Sequence, residues 1–376
     1  MDLKIRILSY QNAQNFGAVL QAFGLQQTLR SLGYTDVSFI NYNPDYLRKR
    51  YLVFPSKWFL SKEKGIRMII SFYINLPFKI LNRWRRNRRF AISRKNLLEQ
   101  TPVQYRFYKD ISEIECNALI LGSDQIWSTW ITGVPDPVFF GKGNYVNLKR
   151  VISYAPSTEL STFENDSTIK IIADYLNGID CLSVREETVK EKLSALFGRN
   201  AQVCVDPTIL CGKEVFDRIS SKRKIENNYI LVYSYNNGAK PIQDIILTIP
   251  ELEKYEVHYI SFGCSGLRET FSKYSHNEIC IEDFISLFKY ASYVVTNSFH
   301  GLVFSLLFNT KFAVAYEAGK SARCESLLSQ IGCINKMILS KDDVDWEAFD
   351  YDYINKRMEE LRNQSKEFLL NSLKSI

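Results

Sequence analysis

Residues 4–42, KIRILSYQNAQNFGAVLQAFGLQQTLRSLGYTDVSFINY, contain the pattern that decides the fold. Residues 4–10 are short and rich in apolar side chains, which predicts a first β-strand. A polar turn follows, and residues 18–32 then show helical periodicity up to a stop at Gly33. Residues 37–42 predict a second strand. A strand, a helix and a second strand in this order form a βαβ unit, and that unit predicts a parallel sheet.

The same alternation of strands and helices continues outward along the chain. Further strands are predicted in a first half at 118–121, 150–155, 181–185 and 201–206, and in a second half at 229–235, 257–262, 293–297 and 312–316. The polar stretch at 220–224 is the predicted linker. We therefore predict an α/β protein with two doubly wound, Rossmann-like domains facing a central cleft. The predicted bounds are 1–219 for the first domain, with an insertion at about 45–100, then 225–345 for the second and 346–376 for a helical segment.

Composition narrows the class of protein. Of the 376 residues, 46% are hydrophobic and 24% are charged, which is typical of a folded globular chain. No stretch approaches 18 uninterrupted apolar residues, and the amino end alternates charged with apolar side chains, so neither a membrane-spanning helix nor a signal peptide is expected. The eight cysteines are scattered and form no C-x-x-C pair. We expect reduced thiols in a cytoplasmic protein, with no metal site.

The net charge of +7 conceals a local basic tract. Residues 48–95 hold 15 Lys or Arg and a single acid, Glu63, which gives +14 and leaves −7 for the remainder. Trp, Phe and Leu side chains are interleaved with these charges, a composition that suits an anionic membrane surface. A solvated helix pair covering the edge of the sheet is an equally good interpretation. Nucleic acid ranks last, because no nucleic-acid-binding motif accompanies the tract.

Polar side chains follow several of the predicted strands in the first half, where an open parallel sheet binds ligands. Asn15 and Gly17 lie between the first strand and its helix, where free backbone N–H groups can bind an anion, although ordinary turn chemistry fits as well. Asp124 could accept a hydrogen bond from a sugar hydroxyl or act as a base, and Trp127 offers an apolar ring face. The alternative is that Ser123 or Asp124 caps the next helix.

Cationic groups follow other strands. Arg185 ends a strand directly before a helix, where a guanidinium could hold a phosphate or carboxylate, or could simply pair with Glu186. Asp206 precedes a proline, which favours turn chemistry. His300, one of three histidines, is predicted at a helix N-terminus on the cleft side, a suitable place for proton transfer beside an anion. A buried structural histidine is the alternative. Arg323 is a second candidate anion ligand.

Taken together, the motifs resemble the polysaccharide pyruvyl transferase family over about residues 4 to 335. They are N-F-G, L-G-S-D-Q-I-W, S-Y-A, S-V-R-E, V-D-P-T and N-S-F-H-G-L-V-F-S-L-L-F-N, in that order along the chain. The resemblance implies a GT-B-like fold and the transfer of pyruvate from phosphoenolpyruvate to a sugar of a surface glycan, with formation of a cyclic ketal. It implies no cofactor besides this donor substrate. Acceptors in the family are often lipid-linked, which implies a peripheral location at the inner face of the cytoplasmic membrane.

The resemblance also assigns roles to individual residues. His300 matches the essential histidine of the family and Arg185 the arginine of its S-V-R motif. Better-studied members carry Arg-Leu-His where this chain has Ser298, Phe299 and His300, so Arg323, Lys320 or a residue of the basic tract would replace the missing arginine. The resulting assignment has a catalytic, a donor-binding and an acceptor-binding set. The catalytic residues are His300 and Asp124, and the acceptor-binding residues are Gln125 and Trp127. The donor-binding residues are Arg185, Arg323, Ser298, Gly301, Asn15 and Gly17. The rival hypotheses are a nucleotide-sugar-dependent glycosyltransferase and a non-catalytic protein that binds through residues 48–95.

Overall fold

A computed structural model describes residues 3–52, 66–234, 240–261, 274–276, 278–319, 321–374 and 376. The first half contains a six-stranded parallel sheet in the order β2-β1-β4-β6-β7-β8. Its strands are β1 (Ile5–Leu8), β2 (Val37–Phe39), β4 (Ala118–Leu121), β6 (Arg150–Ser153), β7 (Cys181–Val184) and β8 (Gln202–Val203). The short strands β3 (Ile114–Glu115) and β5 (Tyr145–Val146) pair separately.

The second half has its own six-stranded parallel sheet, in the order β11-β10-β9-β12-β13-β14. Its strands are β9 (Tyr229–Ser234), β10 (Glu256–Ser261), β11 (Ser275–His276), β12 (Tyr293–Thr296), β13 (Lys311–Ala315) and β14 (Met337–Ile338). The central strands β4, β9 and β12 are buried along their whole length. Continuous apolar runs of this kind suit a parallel sheet that is covered on both faces. The prediction of an α/β protein with two doubly wound, Rossmann-like parallel sheets is confirmed.

Helices cover both sheets. Those of the first half are α1 (Phe16–Ser31), α2 (Asp45–Arg50), α3 (Ile66–Leu97), α4 (Thr129–Thr132), α5 (Asp166–Leu176), α6 (Glu187–Phe197), α7 (Pro207–Cys211) and α8 (Lys213–Ile219). The second half has α9 (Lys240–Ile246), α10 (Ile281–Lys289), α11 (Phe299–Leu307), α12 (Ala322–Gln330) and α13 (Tyr351–Lys374). In the described part of the chain, none of these helices is both long and apolar enough to cross a bilayer.

The helical segment predicted at 346–376 begins later than expected. Trp346 is buried in the core of the second half, where its indole N–H donates to Thr248 Oγ1 at 3.0 Å. Helix α13 starts only at Tyr351 and then returns to the first half, where Ser365 Oγ accepts from the backbone N–H of Val205 at 3.0 Å. The C-terminal helix therefore ties the two halves together.

The described part of the basic tract is a bridge between the halves. Ser93 on α3 donates to Glu282 on α10 at 3.0 Å. On the same helix, Arg94 donates to the backbone oxygens of Asn12 and Ala13 at 3.2 and 3.3 Å. These bonds fix α3 against both halves, close to the first turn of the first sheet. Residues 53–65, which belong to the same predicted tract, lie outside the described residues.

Candidate active site

The first turn of α1 is capped by its own side chain. Asn15 Oδ1 accepts from the backbone N–H groups of Gly17 at 2.9 Å and Ala18 at 3.4 Å. A side-chain oxygen that satisfies these two donors is ordinary N-cap chemistry. The expectation that Asn15 and Gly17 offer free N–H groups to an anion therefore needs correction, because the cap already occupies the Gly17 N–H.

Gly17 has a steric role instead. A Cβ atom built on Gly17 would lie 2.0 Å from Nδ1 of His300, so the imidazole packs directly on the glycine backbone. One residue earlier, the ring of Phe16 stacks on Phe284 with centroids 4.5 Å apart and planes 10° apart. The start of α1 in the first half thus meets α10 and α11 of the second half.

His300 is the second residue of α11, directly after the buried strand β12. Its side chain is buried, as is that of Ser298 before the helix. Gly301 lets the helix approach Thr296, since a Cβ at this position would lie 2.1 Å from Thr296 Oγ1. The apolar sequence of α11 buries the whole helix, and this burial holds its N-terminus at the carboxyl end of the second sheet.

A buried ionic cluster faces His300 from the first half. Arg185 Nη1 donates to Asp206 Oδ2 at 2.8 Å, and Arg185 Nε donates to Glu186 Oε1 at 3.0 Å. Asp206 Oδ2 also lies 3.7 Å from His300 Nε2. The guanidinium carbon of Arg185 lies 4.4 Å from the ring centroid of Phe299, the residue before His300. Groups from the two sheets therefore form one continuous site.

The electrostatics of this cluster favour ionised side chains. Burial by itself would raise the pKa of Asp206, but the adjacent His300 ring and the Arg185 guanidinium lower it well below the ordinary value. Burial opposes the charge on Arg185, and the carboxylates of Glu186 and Asp206 outweigh it and raise the pKa of the guanidinium. At neutral pH the site thus contains a fixed anion, Asp206, and a fixed cation, Arg185.

Three polar atoms of the site have no hydrogen-bond partner among the described residues. They are Arg185 Nη2, Glu186 Oε2 and His300 Nε2, and each belongs to a side chain that is more than nine-tenths buried. Leaving such groups unsatisfied costs about 1–3 kcal/mol each, and more when they are charged. The guanidinium donor suits an anionic ligand and the imidazole nitrogen suits proton exchange, whereas the Glu186 oxygen suits a hydrogen-bond donor such as a hydroxyl group.

Comparison with known proteins supplies the family. The model of the family described as polysaccharide pyruvyl transferase matches residues 15–316, which include every group of this cluster. The chain belongs to the polysaccharide pyruvyl transferase family. A search of curated proteins gave no match.

Several solved structures resemble the whole chain of this family member. A UDP-GlcNAc 2-epimerase from Methanocaldococcus jannaschii is 11% identical with a TM-score of 0.49, and each chain is covered over 100% of its length. A UDP-GlcNAc 2-epimerase from Neisseria meningitidis bound to UDP-GlcNAc is 8% identical with a TM-score of 0.48, and 99% of each chain is covered. The calicheamicin glycosyltransferase CalG4 is 9% identical with a TM-score of 0.45 and 100% coverage of both chains.

In this member of the family, Asp124 lies at the carboxyl edge of the first sheet, directly after Ser123. Its backbone has a φ of +76°, in the left-handed region, and its Oδ1 accepts from the backbone N–H of Gln125 at 2.9 Å. The carboxylate contributes to the raised pKa of Arg185, so it lies within electrostatic range of the ionic cluster. Neither Ser123 nor Asp124 caps the next helix, since Ser128 occupies the N-cap position of α4.

Trp127 occupies a different place from the one expected. Its ring is 3% exposed, stacks on Phe140 with centroids 5.0 Å apart, and donates its indole N–H to the Phe139 backbone oxygen at 2.9 Å. The expectation of a ring face open to a sugar therefore needs correction, because both the apolar face and the polar N–H are used in the core. Gln125, the other predicted acceptor residue, is half-buried beside Asp124.

Arg323 lies in the first turn of α12 and is half-buried. The structure gives it no direct contact with the ionic cluster. Burial raises the pKa of the Cys324 thiol and both Arg323 and Arg185 oppose this effect, so the two cations lie within electrostatic range of the same thiol. Lys320, the other predicted replacement for the family arginine, lies outside the described residues.

Sequence reasoning gave too little weight to Asp206. The Asp-Pro-Thr pattern does form a turn: Asp206 Oδ1 accepts from the backbone N–H of Thr208 at 3.0 Å and from its hydroxyl at 2.6 Å. The other oxygen, Oδ2, accepts from Arg185 and, at 3.3 Å, from the Ser123 hydroxyl. The signal that could have found this residue was its position at the same sheet edge as Arg185 and Ser123.

Proposed function

We propose that this protein transfers pyruvate from phosphoenolpyruvate to a sugar of a cell-surface polysaccharide or its lipid-linked precursor, with formation of a cyclic ketal. One observation carries the proposal. The buried atoms without partners in the described ionic cluster include a guanidinium nitrogen of Arg185, which suits the anion of phosphoenolpyruvate, and His300 Nε2, which suits its proton transfer. Family membership supports the transfer of a pyruvyl group, and the geometry supports an anionic donor.

Arg185 is the proposed donor clamp. Two of its three nitrogens are held by Glu186 and Asp206, and Nη2 is the guanidinium nitrogen that remains without a partner among the described residues. A charged hydrogen bond from this nitrogen to a carboxylate or phosphate oxygen is stronger than a neutral one. The second anionic group of the donor would be bound at the start of α11 by the Ser298 hydroxyl and backbone N–H groups of the first turn, and Arg323 is the further candidate ligand.

His300 is the proposed proton-transfer group. Protonation of the methylene carbon of phosphoenolpyruvate makes the central carbon electrophilic, and a sugar hydroxyl then adds to it. Phosphate leaves and a second hydroxyl closes the ketal, so the two hydroxyl protons end on the new methyl group and on phosphate. Asp206 places its negative charge 3.7 Å from His300 Nε2. A fixed anion at that distance balances the charge that the ring carries after it takes up a proton.

Asp124 is the proposed group for the acceptor hydroxyl. One oxygen holds the backbone of Gln125, which fixes the carboxylate and leaves the second oxygen for a substrate hydroxyl. A non-glycine residue in the left-handed region costs about 1–3 kcal/mol and is found preferentially at functional sites. Asp124 and Arg185 follow different strands at the same edge of the sheet, within electrostatic range of each other. The transfer of a group from the donor to the acceptor sugar would require such proximity.

The test is isothermal titration of the full chain with phosphoenolpyruvate and, separately, with uridine and guanosine diphosphate sugars. We expect phosphoenolpyruvate to bind, and binding to weaken by roughly 10- to 100-fold in Arg185→Ala, from the loss of a charged hydrogen bond. Arg199→Ala is the control, because Arg199 is half-buried in the same half and donates to the Ile179 backbone oxygen. Heat from a nucleotide-sugar with none from phosphoenolpyruvate would replace pyruvyl transfer by glycosyl transfer.

A further inference from the structure

Helix α3 has a continuous exposed face along its second half. With 100° between successive residues, its exposed side chains from 78 to 96 span roughly 160° of the helix circumference. We call this the outer face. It combines four large apolar residues with four basic ones: Phe78, Leu81, Trp84 and Ile92, with Arg85, Arg88, Arg89 and Lys95.

The opposite face of α3 packs against the protein, and this packing determines which side of the helix is exposed. Phe90 is 1% exposed and packs on Phe16, with ring centroids 4.8 Å apart. Arg86 lies over both of these rings and donates to the Gln14 backbone oxygen at 3.3 Å. Because this side is held by packing and by hydrogen bonds, the outer face cannot bury its apolar side chains by rotation of the helix.

Charge on the helix has a single sign. Residues 66–97 contain nine Lys or Arg and no Asp or Glu. On the outer face, Arg85 lies 3.7 Å from Glu278 of the second half, and Arg88 lies over the Trp84 ring at 5.6 Å. Phe78 is 64% exposed, Ile92 50% and Trp84 48%, although water is an unfavourable environment for such side chains. Apolar groups exposed on a helix whose own charges are all positive mark an interaction surface.

We propose that the outer face of α3 docks the protein on an anionic lipid bilayer. Phe78, Leu81 and Ile92 enter the boundary between headgroups and acyl chains, Trp84 lies at headgroup level, and the basic side chains bind lipid phosphates. Nucleic acid would use the cations but not this aliphatic bulk, because protein–nucleic acid interfaces are polar and use aromatic rings for stacking. The observations therefore favour lipid.

Docking on this face would place helix α3 between the bilayer and the turn that leads into the site. Arg86 and Arg94 bind backbone oxygens of the turn between β1 and α1, and that turn leads directly to Gly17 and His300. A lipid-linked acceptor held in the same bilayer would thus be separated from this turn by the width of one helix, about 10 Å. The docking itself does not depend on pyruvyl transfer, so the two proposals can fail separately.

The experiment is co-sedimentation of the full chain with vesicles of phosphatidylcholine alone and of phosphatidylcholine mixed with phosphatidylglycerol. We expect binding only to the mixed vesicles, and weaker binding at high salt. The variant Arg88→Gln/Arg89→Gln/Lys95→Gln removes three charges and should lower the partition coefficient by about 100-fold. Phe78→Ser/Ile92→Ser keeps all charges and should also lower it.

A charge-matched control separates the outer face from general basicity. Lys170→Gln/Lys192→Gln/Lys356→Gln removes three exposed charges elsewhere and should bind as the wild type does. Equal binding by the outer-face variants and the wild type would overturn the proposal, as would no binding to the mixed vesicles. Binding of single-stranded or duplex nucleic acid in place of vesicles would assign the surface to that partner. Unchanged urea unfolding of each variant confirms that the fold is intact.

Discussion

The contact between Gly17 and His300 gives a sharp test of the site, through the substitution Gly17→Ala. The added methyl group would lie 2.0 Å from His300 Nδ1, whereas ordinary contacts begin at 3.4 Å, so the ring must move by about 1.4 Å. A misplacement of about 1 Å in an active site can cost 10²-fold in rate. We therefore expect turnover in Gly17→Ala to fall about 100-fold or more, measured as phosphate released from phosphoenolpyruvate in the presence of acceptor.

Stability measurements test the same contact without relying on the reaction. Alanine is better than glycine in a helix by up to about 1 kcal/mol, but a methyl group forced into a packed site costs about 1–3 kcal/mol. In His300→Ala the obstructing ring is absent, so the same substitution should become neutral or stabilising. A double-mutant cycle of Gly17→Ala and His300→Ala should thus give a coupling energy of about 1–3 kcal/mol in urea unfolding.

The control for this experiment is Gly178→Ala. Among the described residues, a Cβ there meets only the Tyr175 backbone oxygen, at 3.6 Å, and the backbone has no positive φ. Its stability should change by less than about 0.5 kcal/mol. A coupling energy near zero between Gly17 and His300, or full turnover in Gly17→Ala, would refute the contact between the two halves on which the site depends.

Three further predictions concern the ionic cluster. His300→Ala should lower turnover by roughly 10²–10⁴-fold while the variant stays folded; turnover like that of the wild type would remove His300 from proton transfer. Arg185→Lys should raise the KM for phosphoenolpyruvate, because an ammonium group cannot bind Glu186, Asp206 and the donor with the geometry of a guanidinium; an unchanged KM would exclude the clamp. Because the pKa of Asp206 is lowered in the folded state, its carboxylate stabilises the fold at pH values above the ordinary pKa of an Asp side chain. This contribution is lost as the pH falls through the folded-state pKa. Between about pH 5 and pH 3 the unfolding free energy of Asp206→Asn should therefore decline less than that of the wild type, and an equal decline would contradict the pairing.

The local sequence pattern was sufficient to predict the strands and helices of the fold and some residues of the site. The β4 prediction at 118–121 matches the observed strand, because a short apolar run bounded by polar residues has few alternatives. Arg185 and His300 were predicted near the cleft because the carboxyl ends of parallel strands define its edge. These conclusions need only the period of the apolar residues and the order of the strands, and both are present in the sequence.

Contacts between distant segments required the tertiary structure. Asp206 and His300 are far apart in the chain, and only the packing of one sheet edge against the other brings them to 3.7 Å. A tryptophan such as Trp127 can pack in a core or bind a sugar. In the structure its ring stacks on Phe140, so it belongs to the core. The two faces of α3 have similar composition, and their difference arises because one of them found partners on both halves of the molecule. Sequence periodicity fixes which residues share a face, but the partner of that face is a property of the packed chain.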